Sequence, residues 1–429
     1  MTSYLKNETL KIFLIISCVL LLASCSKKKS PIAEPPATPD PVVPTVPTTP
    51  TPVTQPVERN PPNANYSPAF VGQTRIAGLP VTTGIRITIL TTSLIAPWGI
   101  AALPGGRFLI TEKAGRMRIV SSIGGVSEAI TSGLPAVNSG GQGGLLGLCL
   151  DPAFATNRIV YWSFSEPSSS GNRSAIAKGR LANDERSIEG TVVIFRATPG
   201  YAGVNHYGGR VVFDPAGNLF ASIGERADNV TRAQAQLTSA SIGKVIRINT
   251  DGQAVSGNPF TGQAGALPEL YSIGHRNPQG LAVHPVTGEV WQSEHGPRGG
   301  DELNRIQAGA NYGWPTITYG LEYSGQPVLT GIQQRDGMTQ PVYYWDPVVS
   351  PSGMTFYSSD RIAAWRNNLF IGALSGMHIV RLVIENNRVT GEERLLASES
   401  QRFRDITQGF DGALYAITDQ GRLYKIDRE

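Results

Sequence analysis

Two polar residues near the ends of neighbouring apolar segments have the chemistry of a proton acceptor and its partner. His206 lies in Asn205-His206-Tyr207-Gly208-Gly209-Arg210, and Glu225 follows the segment Leu219–Ile223. A hairpin of this length returns both ends to one face, so we expect the carboxylate to hydrogen-bond the imidazole. This contact fixes the ring tautomer and stabilises the charged ring, which suits a general base. A surface histidine with an unrelated glutamate is the alternative.

Cationic and amide side chains add to this pair. Arg276 and Asn277 are adjacent, and Gln142 lies in a glycine-rich loop that lacks the lysine and hydroxyl residue of a phosphate loop. Arg402 and Arg404 alternate along a predicted strand and therefore share one face. Two such guanidinium groups repel unless an anion or carboxylate joins them. Solvated surface arginines are the other interpretation.

Oxygen ligands for a hard cation occur in the string Gly296-Pro297-Arg298-Gly299-Gly300-Asp301-Glu302. Loop carbonyls together with a carboxylate suit Ca²⁺ rather than zinc. No His/Cys cluster has zinc spacing, and the sequence has neither a Gly-x-Ser-x-Gly elbow nor a dinucleotide-binding fingerprint.

The elements that must position these residues are predicted to be short strands. Charged residues make up only 16% of the chain, below the average of about 25%, and 48 glycines imply many turns. A phrase of apolar residue, turn residues and apolar strand recurs six times, with copies beginning at Leu103, Asp151, Phe213, Val283, Trp365 and Phe410. This pattern predicts an all-β fold, a six-bladed β-propeller of four-stranded antiparallel blades.

The N-terminal part of the chain is predicted to lie outside this propeller. Residues 1–25 read as a signal peptide ending in a lipobox, with Cys25 as the lipidated first residue of the mature protein. Residues 26–75 hold a run of prolines typical of an extended flexible tether, and residues 76–429 form the propeller domain. These features predict an exported lipoprotein at the periplasmic face of the envelope, anchored in the outer membrane.

Charge and cysteine usage exclude further classes. The net charge of +4 is too small and too dispersed for a nucleic-acid-binding protein. Outside the signal peptide and lipobox only Cys149 remains, so the domain has no internal disulfide. Cys149 is predicted to be a small apolar residue of a strand.

Several strings in chain order resemble the soluble quinoprotein glucose/aldose sugar dehydrogenases. They include GQGGLLGLCLDPAF, NHYGGRVVFDPAGNLFASIGE, GHRNPQGLAVHP, EHGPRGGDELN, NYGWP and QRFRDI, and the resemblance runs from about residue 85 to the C-terminus. It implies a six-bladed propeller that holds pyrroloquinoline quinone (PQQ) and Ca²⁺ in a cleft. The implied reaction oxidises the C1 hydroxyl of an aldose to a lactone by hydride transfer to PQQ. The electron acceptor, a quinone or a cytochrome, is not specified.

The resemblance also implies roles for individual residues. His206 matches the catalytic base, supported by Glu225, and Arg276 stabilises negative charge on the quinone oxygen. The cofactor-binding groups implied are Gln142, Arg276, Asn277, Arg402 and Arg404. The metal ligands implied are the carbonyls of Gly296 and Pro297 for the quinone-bound Ca²⁺, and Glu302 and Tyr312 for a second, structural Ca²⁺.

Three positions depart from the family pattern. Glu225 stands where well-studied members have Asp, Ser375 where they have a Lys that contacts the quinone, and Val348 where they have Thr. The last two changes should weaken quinone binding. Two alternatives therefore remain open: a non-catalytic propeller that binds sugar or protein, and a Ca²⁺-dependent propeller lactonase.

Overall fold

The structure, a computed structural model, describes residues 55–429. The predicted signal peptide, Cys25 and residues 26–54 of the predicted tether lie outside the described residues and stay predictions. No helix within the described range is long and apolar enough to cross a membrane.

Six antiparallel sheets account for almost all of the secondary structure of the described residues. After the first strand, β1 (Ile85–Thr91), the chain forms the sheets one after another, and we number them blades 1 to 6. Their strands are, in blade 1, β2 (Pro97–Leu103), β3 (Arg107–Glu112) and β4 (Arg116–Val120); in blade 2, β5 (Leu145–Leu150), β6 (Ile159–Ser168), β7 (Gly171–Leu181) and β8 (Ile188–Arg196); in blade 3, β9 (Gly208–Phe213), β10 (Leu219–Ile223), β11 (Lys244–Ile248) and β12 (Leu270–Ile273); in blade 4, β13 (Pro278–Val283), β14 (Val290–Glu294), β15 (Asp301–Arg305) and β16 (Tyr343–Trp345); in blade 5, β17 (Pro351–Phe356), β18 (Leu369–Ala373), β19 (Ile379–Glu385) and β20 (Arg388–Leu395); and in blade 6, β21 (Phe403–Gln408), β22 (Leu414–Thr418) and β23 (Leu423–Arg428).

The ring is closed by the first strand. β1 pairs antiparallel with β23, so a strand from the beginning of the domain completes blade 6. In blade 1 the fourth position is reduced to isolated bridges that join Met117 to Ile130 and Val120 to Val126. The helical segments are all short: α1 (Phe154–Asn157), α2 (Asn229–Arg232) and the 3₁₀ turns Ala233–Gln236, Ala363–Trp365 and Ala397–Glu399.

The six-bladed β-propeller predicted from the sequence is therefore confirmed. In every blade the recurring phrase falls at the connection between the first and second strands, for example between β13 and β14, where Val283 pairs with Val290. Cys149 lies in β5 as expected and is half-buried. The apolar core is divided into clusters that fill the spaces between adjacent blades.

Residues 55–75, the end of the predicted tether, pack against blade 4. The carboxylate of Asp346 accepts hydrogen bonds from the backbone N–H groups of Asn63 (2.9 Å) and Ala64 (3.0 Å). Gln73 is fully buried and donates to the carbonyl of Pro341 at 2.9 Å. A segment with buried polar contacts of this kind is not a free tether, so the packed domain begins earlier than the boundary at residue 76.

A set of buried hydroxyls ties consecutive blades together near the axis. Each belongs to the second strand of one blade and donates to a carbonyl in the inner strand of the next. The bonds run from Thr111 to Leu146 (2.5 Å), from Ser163 to Gly209 (2.5 Å), from Ser222 to Pro278 (2.8 Å) and from Ser293 to Ser352 (3.2 Å). The pairing of the first two strands has a register shift in every blade, which exposes inner-strand carbonyls to these hydroxyls.

Ser222→Ala should lower the free energy of unfolding by about 1–3 kcal/mol. The Ser222 hydroxyl accepts from the backbone N–H of Arg210 at 3.0 Å and donates to Pro278, and its loss leaves two buried polar groups without partners. Chemical denaturation of the wild type and the variant measures the difference. Ser169→Ala, at an exposed position, is the control. Equal stability of the Ser222 and Ser169 variants would contradict this role for the hydroxyl.

Candidate active site

One face of the propeller collects polar residues from all six blades. One group precedes or begins the inner strands, and the other closely follows the ends of the second strands, except that Ser165 lies within β6. The first group is Trp98, Gln142, His206, Arg276, Ser350 and Arg402, and the second is Lys113, Ser165, Glu225, His295 and Asp419, with the apolar Leu374 at the equivalent position of blade 5. Because both strand ends of a blade open on the same face, residues far apart in sequence meet there.

His206 and Glu225 form the expected pair. The Nδ1 atom of His206 lies 2.7 Å from Oε1 of Glu225, and both side chains are buried. The backbone N–H of His206 donates to Oε1 of Gln142 at 2.9 Å, and that of Glu225 donates to the carbonyl of Arg276 at 2.9 Å. The pair is therefore fixed between blades 2, 3 and 4, and Nε2 of His206 has no hydrogen-bond partner among the described residues.

Glycine is required where the two strands that carry this pair approach each other. A Cβ atom on Gly208, at φ +66°, would lie 2.6 Å from the carbonyl oxygen of Ser222. His206, Arg226 and Ala227 themselves have positive φ angles of 46°, 78° and 59°. Such backbone strain in non-glycine residues is maintained only where surrounding contacts impose it, and it concentrates at functional sites.

Burial sets the protonation of the pair. It lowers the pKa of His206 well below 6.5, and the nearby cations Arg276 and Arg226 lower it further. It also raises the pKa of Glu225 to about 7, although Arg276 opposes the shift. At neutral pH the imidazole is therefore uncharged. With Glu225 ionised, Nδ1 donates to the carboxylate and Nε2 holds a free lone pair.

A cavity of about 400 Å³ lies next to Gln142, which holds the backbone of His206, although neither His206 nor Glu225 is part of the cavity wall. Its wall includes Gln142 from blade 2, His295 from blade 4 and the cations Lys113, Arg402 and Arg404 from blades 1 and 6. The volume lies within the range of small-molecule and cofactor sites.

Arg402 and Arg404 share one face, as predicted, and a carboxylate joins them. Oδ2 of Asp419 accepts from Nε of Arg402 at 2.9 Å, and Oδ1 accepts from Nε of Arg404 at 2.7 Å. Burial disfavours the charged form of Asp419, but the two arginines outweigh it and lower the pKa of this carboxyl. One acid therefore serves two cations, and the cavity wall keeps a positive excess.

A buried ion pair forms the floor beneath the cavity. Nη1 of Arg210 lies 2.5 Å from Oδ2 of Asp405, which also accepts from the backbone N–H of Ile100 at 3.0 Å. The guanidinium of Arg210 lies 4.4 Å from the ring centroid of Trp98, and its Nε donates to the carbonyl of Gln279 at 3.0 Å. Since Trp98 and Gln279 line the cavity, blades 1, 3, 4 and 6 fix its base together.

Arg276 and Asn277 are buried next to the strands that carry His206 and Glu225, and both have unused donors. Nη1 of Arg276 donates to the carbonyls of His295 (3.1 Å) and Gly296 (2.6 Å), while its Nε has no acceptor among the described residues. Asn277 accepts from the N–H of Gly208 at 3.2 Å, and its Nδ2 likewise lacks a partner there, as does Nε2 of His295. Buried donors without acceptors carry a free-energy cost, which a polar ligand would remove.

A second, much smaller cavity lies behind Arg276. It has about 10 Å³, enough for one water molecule or ion, and Glu294 and Glu302 both line it. These glutamates are directly opposite partners on β14 and β15, where like charges repel. Burial and the neighbouring Glu294 raise the pKa of Glu302 well above 4.5. A cation between the two carboxylates would relieve this repulsion.

Three of the four residues predicted as metal ligands line the small cavity. They are Gly296, Glu302 and Tyr312, whereas Pro297 is part of the wall of neither cavity. The Tyr312 hydroxyl donates to the carbonyl of Arg305 at 2.5 Å, so only its backbone oxygen is left for a metal. No group of three or more His, Cys, Asp or Glu side chains within residues 55–429 has metal-binding geometry. A cation here would therefore depend on carbonyls as well as carboxylates, which suits Ca²⁺.

The donor set also fits a quinone with several carboxylates. Such a ligand needs cations, amide and imidazole donors and a cavity of adequate size, and all of these meet at the larger cavity. Ser350 lines that cavity, and its hydroxyl lies 2.7 Å from that of Ser375, so a neutral hydroxyl pair occupies the position expected to lack a cation.

Sequence reasoning missed several residues of this face. Asp419, Lys113, Trp98 and Gln279 were not singled out, although each lies in an inner or second strand or directly after one. The position of a residue within the recurring blade was the signal that could have found them. His206 and Glu225 occupy the equivalent strand ends of blade 3. Asp419 has its partners within its own blade, whereas Lys113, Trp98 and Gln279 depend on neighbours from other blades, which one blade's sequence does not specify.

A family model and a similar curated protein assign this β-propeller to the sugar dehydrogenases. The family model for glucose/sorbosone dehydrogenases matches residues 94–425, and the chain belongs to this family. It is 40% identical over 347 residues to aldose sugar dehydrogenase YliI of Escherichia coli, covering 80% of this chain and 92% of the relative.

Solved structures agree with this assignment. The apo-form crystal structure of the soluble aldose sugar dehydrogenase from Escherichia coli matches with a TM-score of 0.77 at 38% identity, over 80% of this chain and all of the other. The PQQ-bound aldose sugar dehydrogenase of Streptomyces coelicolor matches with a TM-score of 0.66 at 28% identity, over 80% and 98% of the two chains.

Proposed function

We propose that this protein is a PQQ-dependent aldose dehydrogenase that oxidises the C1 hydroxyl of a sugar to the lactone. The observation that carries the proposal is the buried His206–Glu225 pair, held by Gln142, which lines a cavity with excess positive charge. Membership of a sugar dehydrogenase family and likeness to a PQQ-bound neighbour support it.

The chain's own residues would divide the work as follows. Nε2 of His206 takes the proton of the C1 hydroxyl, while Glu225 holds Nδ1 and stabilises the charge that the ring acquires. Arg276, Asn277 and Gln142 supply donors to cofactor and sugar, and the arginines at 402 and 404 hold cofactor carboxylates. When bound, PQQ supplies the acceptor for the hydride.

Reconstitution tests the proposal directly. The purified protein is titrated with PQQ in the presence of Ca²⁺ by calorimetry, and dye reduction is then followed with a panel of aldoses. We expect binding and turnover in the wild type. In His206→Ala we expect near-normal binding and turnover lower by about 10²–10⁴, the usual contribution of a general base.

The outcomes separate the alternative functions. Absence of PQQ binding to the wild type would refute the enzyme proposal and favour a binding module. Lactone hydrolysis that depends on Ca²⁺ without PQQ would instead indicate a lactonase.

The pH dependence of kcat/KM should follow the ionisation of the Glu225 carboxyl. Its pKa is raised to about 7, and only the ionised carboxylate leaves Nε2 of His206 unprotonated. The protonated form donates to Nδ1 and shifts the ring to the tautomer with Nε2–H, so kcat/KM should rise with pH through about 7. Because the pKa of His206 is far lower, the imidazole itself stays neutral across this range.

Glu225→Gln checks this assignment. A glutamine has no proton to lose, so the variant should be slower and should lack the limb near pH 7. An unchanged pH profile in the variant would assign that limb to another group.

Ca²⁺ should stabilise the fold through Glu302. A cation bound only by the folded state adds about 2.7 kcal/mol at a hundredfold excess over Kd. In Glu302→Gln the response to Ca²⁺ should largely disappear, and without Ca²⁺ the variant should be at least as stable as the wild type, because the repulsion with Glu294 is gone. Melting temperatures with Ca²⁺ and with chelator measure this.

Glu128→Gln, at an exposed position, is the control for the Ca²⁺ measurement. Equal melting of the wild type with and without chelator would argue against a cation at this position.

The anchor remains part of the proposal. We expect the mature chain to begin at a lipidated Cys25 and to remain at the periplasmic face of the envelope. Mass spectrometry of the mature N-terminus tests this, and unchanged membrane fractionation of Cys25→Ala would refute it. The electron acceptor, a quinone or a cytochrome, is left unassigned.

A further inference from the structure

One cation of the large cavity has no acidic partner. Lys113 directly follows β3, and its Nζ donates to the carbonyl of Gly141 at 2.6 Å. Both oxygens of Asp419, the acid of the cavity wall, are already used by Arg402 and Arg404. No carboxylate of the described residues contacts Lys113.

The backbone of Lys113 is fixed between two blades. Its N–H donates to the carbonyl of Ala96 at 3.1 Å, and its carbonyl accepts from the N–H of Leu145 at 3.1 Å. The side chain therefore starts from a defined point between blades 1 and 2, and its end is held by a single bond to a loop carbonyl. That arrangement lets the ammonium turn from Gly141 to a ligand without any backbone movement.

The charges of the cavity wall specify the kind of ligand. Lys113, Arg402 and Arg404 are positive and Asp419 is negative, so the wall carries a net charge of +2 from these residues (three minus one). A cavity with this excess favours a ligand with at least two negative charges placed apart.

The arginine pair and Lys113 lie on different blades. Arg402 and Arg404 come from blade 6, and Lys113 comes from blade 1, the next blade around the ring. A ligand with one carboxylate at the arginines and a second acidic group on the same rigid body can bind the cations of both blades at once. A planar polycarboxylate meets that requirement, and a neutral sugar does not.

We propose that Lys113 is a cofactor-binding residue, which holds one carboxylate of a polycarboxylate ligand while Arg402 and Arg404 hold another. The identity of the ligand as PQQ, which carries three carboxyl groups, rests on the proposed function; the need for a multiply charged anion does not. Lys113 thereby supplies a cation to a cavity whose wall has a neutral hydroxyl pair at Ser350 and Ser375.

The test compares PQQ binding by calorimetry, with Ca²⁺ present, in the wild type, Lys113→Met and Lys113→Arg. Because bonds to charged groups contribute about 1.5–3 kcal/mol, we expect Lys113→Met to raise Kd by about ten- to a hundredfold and Lys113→Arg to change it little. The Kd of the wild type should also rise more steeply with salt than that of Lys113→Met.

Lys178→Met is the matched control, because Lys178 pairs with Asp251 on the surface, away from the cavity. Melting temperatures without ligand show whether each variant folds. Equal PQQ affinity in the wild type and a folded Lys113→Met would overturn the proposal.

A second probe keeps this inference separate from the proposed function. If the wild type binds no PQQ, the proposed function fails, and citrate then serves as the polycarboxylate. Greater thermal stabilisation by citrate in the wild type and Lys178→Met than in Lys113→Met would support the anion site at Lys113. Equal stabilisation of all three, or none, would overturn it.

Discussion

The ion pair between Arg210 and Asp405 is the interaction on which the candidate site depends most. It is buried, so removal of one partner leaves an uncompensated charge, at a cost of about 3–5 kcal/mol in comparable cases. Through Trp98, Gln279 and the backbone of Ile100 it links the inner strands of four blades. The floor of the cavity is thus fixed by charge and hydrogen bonds near the centre of the propeller. The apolar clusters between adjacent blades fix the outer parts of the propeller.

The hydroxyl bonds between blades explain why residues from different blades meet so closely. Each bond attaches the second strand of one blade to the inner strand of the next, close to where the strand ends open on the site. His206 depends on this arrangement, because its backbone is held by Gln142 of blade 2 and its ring by Glu225 of its own blade. In the proposed role of general base, a histidine held in this way needs no rearrangement to accept a proton.

The propeller fold and the His206–Glu225 pair could be predicted from the sequence, because both depend on residues close together in the chain. The recurring turn phrase marks one hairpin in every blade, and the hairpin between His206 and Glu225 brings its own ends together. Asp419 stands opposite Arg402 and Arg404 by the same hairpin geometry and could have been found in this way. Lys113 could not, since its partner Gly141 belongs to the next blade. The packing of residues 55–75 was hidden by proline content, which favours extended chain whether or not that chain is packed.

In the proposed reaction an aldose gives up its C1 hydrogen to the bound cofactor while His206 takes the hydroxyl proton. Anaerobic stopped-flow absorbance of the PQQ-loaded protein, mixed with an aldose carrying either hydrogen or deuterium at C1, tests this in a single turnover. The account predicts that the sugar reduces the bound cofactor and that deuterium slows the step. Failure of every aldose to reduce the bound cofactor, or equal rates for the two isotopes, would contradict it.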